Sequence, residues 1–256
     1  MQNNIFSGLF VGQNLLTIQQ VDSTNNYLKQ LVSNSKPLIE GTVIMAVDQY
    51  AGRGQHQNGW FAEPGKNLTF SILLKPSFLP VSQQFDLVRA ISLGVFDALH
   101  PLLGDGLTIK WPNDIYYGNR KLGGMLIENM IQGLQIKNSI AGIGININQE
   151  GFPENLPGAI SVKQILQQDY DLKYLLSEIC RHVEAYYLSL KADKISLVRN
   201  KYLSRLYRLN EEGEFKSKEG RFSGMIHRVT DSGLLVVKNN KGEDLEFSLK
   251  EIEFLH

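Results

Sequence analysis

KWPNDIYYGNRKLGGMLIE (110–128) is the stretch whose reading decides the fold. Leu107 to Trp111 forms a short apolar strand that Pro112 ends. Asp114 to Tyr117 resumes extended structure, and Gly118-Asn119-Arg120 turns the chain into a further apolar run, KLGGMLIEN. Extended pieces separated by turn chemistry read as sheet. Lys110 closes its strand, where a side chain is held rigidly, with Asn113 and Asp114 beside it. An ammonium fixed there stabilises developing negative charge better than water does. Asp114 or Asn113 could orient the lysine, contact a ribose or help coordinate Mg²⁺. The same letters also fit a plain Pro-Asn-Asp turn with a surface lysine. The pair Gly123-Gly124 implies close backbone approach, to a ligand or to a neighbouring strand.

Downstream, GIGININ (142–148) alternates: Gly142, Gly144, Asn146 and Asn148 share one face, and Ile143, Ile145 and Ile147 the other. The isoleucine face is buried, and the bare face could line a cleft. Upstream, TVIMAV (42–47) and LTFSILL (68–74) are buried strands that pair across a glycine-rich loop. In that loop Gly52 and Gly54 flank Arg53. Glycines let backbone amides approach an anion, and the guanidinium fork suits carboxylate or phosphate. The loop matches neither the Walker nor the dinucleotide glycine pattern, and a solvent-exposed hairpin loop fits it equally well. A first strand around Leu15 and Ile18 precedes a helix over 24–34 capped by Ser23 or Thr24. Further helices are expected over 87–99, 171–190 and 195–203. After about residue 210, runs around DSG and NKG turns predict a small barrel or sheet module. The expected division is a catalytic domain over 1–208 and a small domain over 209–256, packed together because no low-complexity linker joins them.

The 256 residues carry 26 Lys plus Arg and 26 Asp plus Glu. Zero net charge argues against a nucleic-acid partner, while a local basic pocket for a small anion stays allowed. The single cysteine, Cys180, lies on a helical apolar stripe and reads as a buried hydrophobe, so neither a disulfide framework nor a cysteine metal site is expected. No stretch approaches the ~20 apolar residues of a membrane span, and the amino end lacks a signal-peptide pattern. A cytoplasmic protein with no membrane partner is expected.

Four segments in order, STNNYL (23–28), DQYAGRGQHQNGW (48–60), KWPNDIYYGNRKLGGMLIE (110–128) and GIGININ (142–148), closely resemble the bacterial biotin–protein ligases in their short form. The resemblance covers nearly the whole chain. It implies an α+β fold: a mixed central sheet with flanking helices, like that of class II synthetases, plus a small C-terminal SH3-like β-barrel. It also implies the activity. Biotin and ATP give biotinyl-5′-adenylate, and the biotinyl group passes to a lysine of a biotin carboxyl carrier protein or carboxylase carrier domain. ATP with Mg²⁺ would serve as cosubstrate, with no structural metal.

By the same resemblance Ser23, Thr24 and Gln49 hold the ureido ring of biotin, with Asn25 beside them. Gly52, Arg53 and Gly54 belong to a loop that folds over biotin and adenylate, and Trp60 packs against adenine. Lys110 contacts carboxylate and phosphate oxygens and, with Arg53, is the catalytic candidate. Gly123 and Gly124 line the biotin pocket, and Asn146 faces the nucleotide or its metal. Asn113, Asp114 and Gln55 complete the ATP side. Metal ligands are not assigned, and His56 and His100 are read as non-catalytic. Relatives often dimerise through a sheet edge, so a homodimer is compatible with the sequence.

Two departures from the family stand out. Gln55 occupies a position where many members carry a second arginine, which weakens adenylate retention. The STNN motif begins at residue 23, which leaves no room ahead of it for the helix-turn-helix domain of the long regulatory members, so no operator binding is expected. The competing readings are a lipoate–protein ligase or octanoyltransferase, a non-catalytic biotin-sensing protein, and a structural scaffold.

Overall fold

The computed structural model describes residues 6–34, 37–55 and 58–255. The first strand β1 (Leu15–Val21), helix α1 (Thr24–Ser33) and strand β2 (Val43–Gln49) form one unit, with β1 and β2 parallel. Strand β3 (Leu68–Leu74) returns antiparallel to β2, pairing Val43 with Ile72, as the apolar runs on either side of the loop predict. Helix α2 (Gln84–Leu103) then leads to β4 (Leu107–Lys110), β5 (Asp114–Tyr117), β6 (Arg120–Gln132) and β7 (Gln135–Ile145). Together they make a seven-stranded mixed sheet in the order β1-β2-β3-β7-β6-β5-β4. A short α3 (Val162–Leu166), the long α4 (Leu172–Lys191) and α5 (Ile195–Ser204) follow.

Period-two alternation divides the sheet into two working faces. Leu68, Phe70, Ile72 and Leu74 of β3, with Ala141, Ile143 and Ile145 of β7, point into the main core under α2, α4 and α5. On the opposite face Leu73 and Ile140 meet Leu28 of α1. Helices α2 and α4 approach so closely at Gly94 that a methyl group there would strike the Val183 backbone. Cys180 lies in this layer, fully buried, as its helical spacing predicts, and burial pushes its thiol up. Residues 81–106, which include α2, are long and apolar enough to cross a membrane by length and composition, which the sequence reading did not expect. In the fold this segment is a core helix, 67% of its apolar window being buried inside the protein.

Ahead of β1 the backbone N–H groups of Leu9, Phe10 and Val11 all donate to the Glu184 carboxylate of α4, at 2.6, 2.7 and 2.8 Å. Three converging amides form an anion nest, so this irregular segment is seated on α4 without a ladder of its own.

The C-terminal residues correct one expectation. A closed SH3-like barrel is not formed. Strands β8 (Glu212–Ser217), β9 (Gly220–Val229), β10 (Leu235–Asn239), β11 (Asp244–Phe247) and β12 (Ile252–Phe254) make an open sheet in the order β11-β10-β9-β8-β12. Closure needs a continuous ladder around the circumference. Here the edges β11 and β12 hold four and three residues and do not pair. Hairpin chemistry sets the antiparallel neighbours inside the sheet, as the DSG and NKG turns predict, but among the described residues no ladder joins its two ends.

A buried charge network fastens this sheet to the larger one. Asp86 on α2 is fully buried. It accepts from Arg89 Nη1 at 2.6 Å and from both Nε and Nη2 of Arg199 on α5 at 2.8 Å. Arg89 also donates to the Thr230 carbonyl at 2.5 Å, and Trp111 Nε1 donates to the Gly233 carbonyl at 3.0 Å. The β9–β10 turn is thereby held against the Lys110–Asp114 turn. Removing one partner of such a network strands the other charge in the interior. Asp86→Ala is expected to cost about 3–5 kcal/mol in urea unfolding and to speed amide exchange in residues 230–233; a loss below about 1 kcal/mol would contradict this role for Asp86.

Candidate active site

The functional face of the central sheet is bare where β7 presents Gly142 and Gly144. A methyl group at Gly142 would run into the Asn25 side chain, and one at Gly144 into the Trp60 indole. These absences let the start of α1 and the end of the 52–60 loop lie directly on the backbone of β7. The result is a cleft of about 370 Å³.

One end of the cleft is built from short polar groups. Ser23 occupies the N-cap of α1, yet its side chain makes no capping bond. Ser23, Thr24 and Asn25 are each only 3% exposed. Gln49 Oε1 accepts from the Thr24 amide at 2.8 Å, and Ser71 Oγ lies 2.7 Å from Thr24 Oγ1 and 2.6 Å from Asn25 Oδ1. Asn25 Nδ2 donates to Glu128 Oε2 at 2.7 Å. Thr24, Asn25, Gln49 and Ser71 are orientated by one another and by Glu128, so the end is preorganised for a ligand carrying amide-like donors and acceptors.

The other end is cationic. Lys110 and Asp114 face each other across the β4–β5 ladder, joined by a turn whose Trp111–Pro112 bond is cis. Asp114 Oδ2 pairs with Lys121 Nζ at 2.7 Å, and Asn113 Nδ2 ties the turn to the Met125 carbonyl. The Lys110 ammonium lies over the rings of Tyr116 and Phe254, at 4.7 and 4.8 Å from their centroids. Burial pushes its pKa below the ordinary lysine value. Lys121 and Arg208 act in the same direction, and Asp114 partly opposes them. Burial also raises the Tyr116 hydroxyl to about 12, so it stays un-ionised and accepts from the Lys110 ammonium. Arg53 Nη2 pairs with Glu128 Oε2 at 2.8 Å, and Lys29 holds the other oxygen of Glu128. Burial would raise the Glu128 carboxyl, but the bonds from Lys29 and Asn25 and the charge of Arg53 hold it below its ordinary value.

Most residues singled out in the sequence come together here. Ser23, Thr24, Asn25, Gln49, Arg53, Gly54, Gln55, Trp60, Lys110, Asn113, Asp114 and Gly124 all line the cleft. Three do not. Gly52 passes behind it, where a methyl group would meet the Trp60 carbonyl and Gln49. Gly123 is needed for close packing on Ile145 and the Gly144 carbonyl. Asn146 is buried and donates to the Ile160 carbonyl at 3.1 Å. His56 lies outside the described residues. His100 sits at the end of α2 near Asp105 and is absent from the cleft lining. Among the described residues no group of three or more His, Cys, Asp or Glu is placed to hold a metal ion.

Lys121, Lys250, Tyr116 and Phe254 line the cleft as well, without having stood out in the sequence as site residues. Lys121 was legible in principle, since it directly precedes the Leu-Gly-Gly run. Lys250, in a left-handed turn at φ 76°, and Phe254 reach the site only through packing of the C-terminal sheet.

The model of the biotin/lipoate A/B protein ligase family matches residues 17–146. The chain is 27% identical over 235 residues to the bifunctional ligase/repressor BirA of Bacillus subtilis, covering 91% of this chain and 71% of that protein. It is 27% identical over 238 residues to the biotin–[acetyl-CoA-carboxylase] ligase of Paracoccus denitrificans, covering 89% and 95%. Among solved structures, the biotin protein ligase of Aquifex aeolicus in complex with biotin and ATP superposes with a TM-score of 0.79 at 27% identity, covering 95% of this chain and 99% of that one.

The glycine floor can be probed directly, because Trp60 and Trp111 are the two tryptophans of the chain. Gly144→Ala should displace Trp60 from β7 into water, at a cost of about 1–3 kcal/mol for the overpacked contact. Tryptophan emission should move to longer wavelength, and an unchanged spectrum would show that Trp60 does not rest on the floor.

Proposed function

Because the chain belongs to the biotin/lipoate A/B protein ligase family, we propose that it activates biotin with ATP, forming biotinyl-5′-adenylate and pyrophosphate, and transfers the biotinyl group to a lysine of a carrier domain. The observation that carries this reading is the polarity of one cleft. Orientated hydroxyl and amide groups stand at one end, with Arg53 held on Glu128 beside Asn25, and Lys110 and Lys121 stand together at the other. Biotin has this same division, a ureido ring and a carboxylate tail.

A free carboxylate is a poor acyl donor, and activating it brings two anions together. Lys110 and Lys121 would offset that repulsion as the biotin carboxylate attacks the α-phosphorus. Arg53 would leave Glu128 for the phosphate. Ser23, Thr24 and Gln49 would take the ureido ring, and Trp60 would cover the adenine side. Mg²⁺ entering with ATP would offset phosphate charge while keeping water and phosphate as most of its ligands. The neutral amine of the carrier lysine then attacks the acyl carbon, and AMP leaves. No Ser-His-Asp arrangement is required. We place the reaction in the cytoplasm, where ATP and carrier proteins meet, and take the carrier to be of the biotin carboxyl carrier type.

Biotin-dependent exchange of radiolabelled pyrophosphate into ATP tests the reading, and exchange with lipoate in place of biotin would redirect it to the lipoate branch. Lys110→Ala and Lys121→Ala should each lower exchange by at least ~100-fold, as lost charge stabilisation does; near-normal exchange would remove that lysine from the chemistry. Gln55→Arg adds a charge-assisted donor worth about 1.5–3 kcal/mol and should slow adenylate dissociation by tenfold or more, on the order of that energy. An unchanged off-rate in a chase with unlabelled biotin would show that position 55 does not meet the phosphate.

A further inference from the structure

The ammonium of Lys110 is held by rings and not by a carboxylate. Its Nζ lies 4.7 Å from the Tyr116 centroid, 4.8 Å from that of Phe254 and 5.8 Å from that of Tyr207. Asp114, its partner across the ladder, gives Oδ2 to Lys121 instead. Among the described residues the one hydrogen bond of this ammonium goes to the Tyr116 hydroxyl, at a long 3.4 Å. Arg53 and Lys121 are each neutralised by a carboxylate, and Lys110 is not.

The third wall of this cage comes from the other sheet. Phe254 sits on β12, paired with Phe215 of β8, and its ring meets that of Phe215 edge-on at 5.4 Å. The next residue is pinned on both sides: the Leu255 amide donates to the Glu214 carbonyl at 2.9 Å, and its carbonyl accepts from Arg208 at 3.1 Å. The ring therefore has a fixed place at the cleft wall. An aromatic face attracts a cation through its quadrupole without cancelling its charge. A carboxylate there would pair with the ammonium and repel an incoming carboxylate or phosphate.

We propose that Phe254 is a positioning residue for adenylation: its ring, carried in by the C-terminal sheet, fixes the Lys110 ammonium at the cleft while leaving its charge available to the reacting anions. This rests on the reading of the cleft as an adenylating site. The groups facing Lys110 are Asp114 and Tyr116 on β5, Lys121 on β6, and Tyr207 and Arg208 after α5. Removing the ring admits water to the ammonium and leaves those groups in place. The titration of Lys110 should then move upward, toward the ordinary lysine range.

The test uses the full chain and two readouts. Trace acetylation with acetic anhydride across pH, followed by mass spectrometry of the Lys110 peptide, reads its titration without substrates. Pyrophosphate exchange gives kcat and the KM for biotin. In Phe254→Ala the labelling midpoint should rise and kcat should fall about tenfold, the size of one desolvated cation–ring contact, with little change in KM. Phe254→Tyr, which keeps the ring, should restore both. Phe247→Leu loosens the stacked Phe222–Phe247 pair of the same sheet and should move neither. Should Phe254→Ala fail to fold, Phe254→Leu carries the same comparison. An unmoved midpoint with normal kcat, or an equal shift in Phe247→Leu, would overturn the proposal. Absence of exchange in the unaltered chain would instead overturn the adenylating reading, and the labelling midpoint would still decide whether the ring shields Lys110.

Discussion

The cleft depends on a strip of β7 that has no side chains. At Gly142 and Gly144 the sheet offers only backbone, so Asn25 and the Trp60 indole can rest against it. Any Cβ would lift one of them and shift the polar end of the site relative to the cationic end. Preorganisation here is a matter of distance. Short side chains such as Ser23 and Thr24 reach a ligand only when the start of α1 lies nearly on the sheet.

Charge is handled differently in each layer of the molecule. In the interior, Asp86 is surrounded by two guanidinium groups, and Nη1 and Nη2 of Arg89 also reach the carbonyls of Val229, Thr230 and Asp231. That arrangement satisfies the high cost of burying ions and also fixes the relation between the two sheets. At the cleft the same relation brings Phe254 beside Lys110. The distance between the core network and the site is bridged by the turn around Trp111, whose indole donates to Gly233.

Much of this architecture was legible in the sequence, and the part that was not has a common cause. The β-branched runs 42–47 and 68–74, the alternation of 142–148 and the helix expected over 171–190 follow from periodicity alone, because each buries its own face. The glycine strip was readable because an empty position implies a close neighbour. Closure of the C-terminal strands was not readable, since it depends on whether two short edges meet, and hairpin signals speak only of adjacent strands. Gly123 and Asn146 carry letters suited to a site, yet one serves packing against Ile145 and the other a carbonyl at Ile160. Lys250 and Phe254 enter the cleft through long-range packing of the C-terminal sheet, which no local pattern encodes.

The seat of residues 9–11 on Glu184 carries its own consequence. Backbone amides gathered around an anion usually await a solute and fill according to its concentration. Here the chain supplies the anion from its own helix, at a fixed spacing. Occupancy of that seat cannot be diluted or dialysed away, and a stretch almost devoid of regular structure inherits the steadiness of the helix that it clasps.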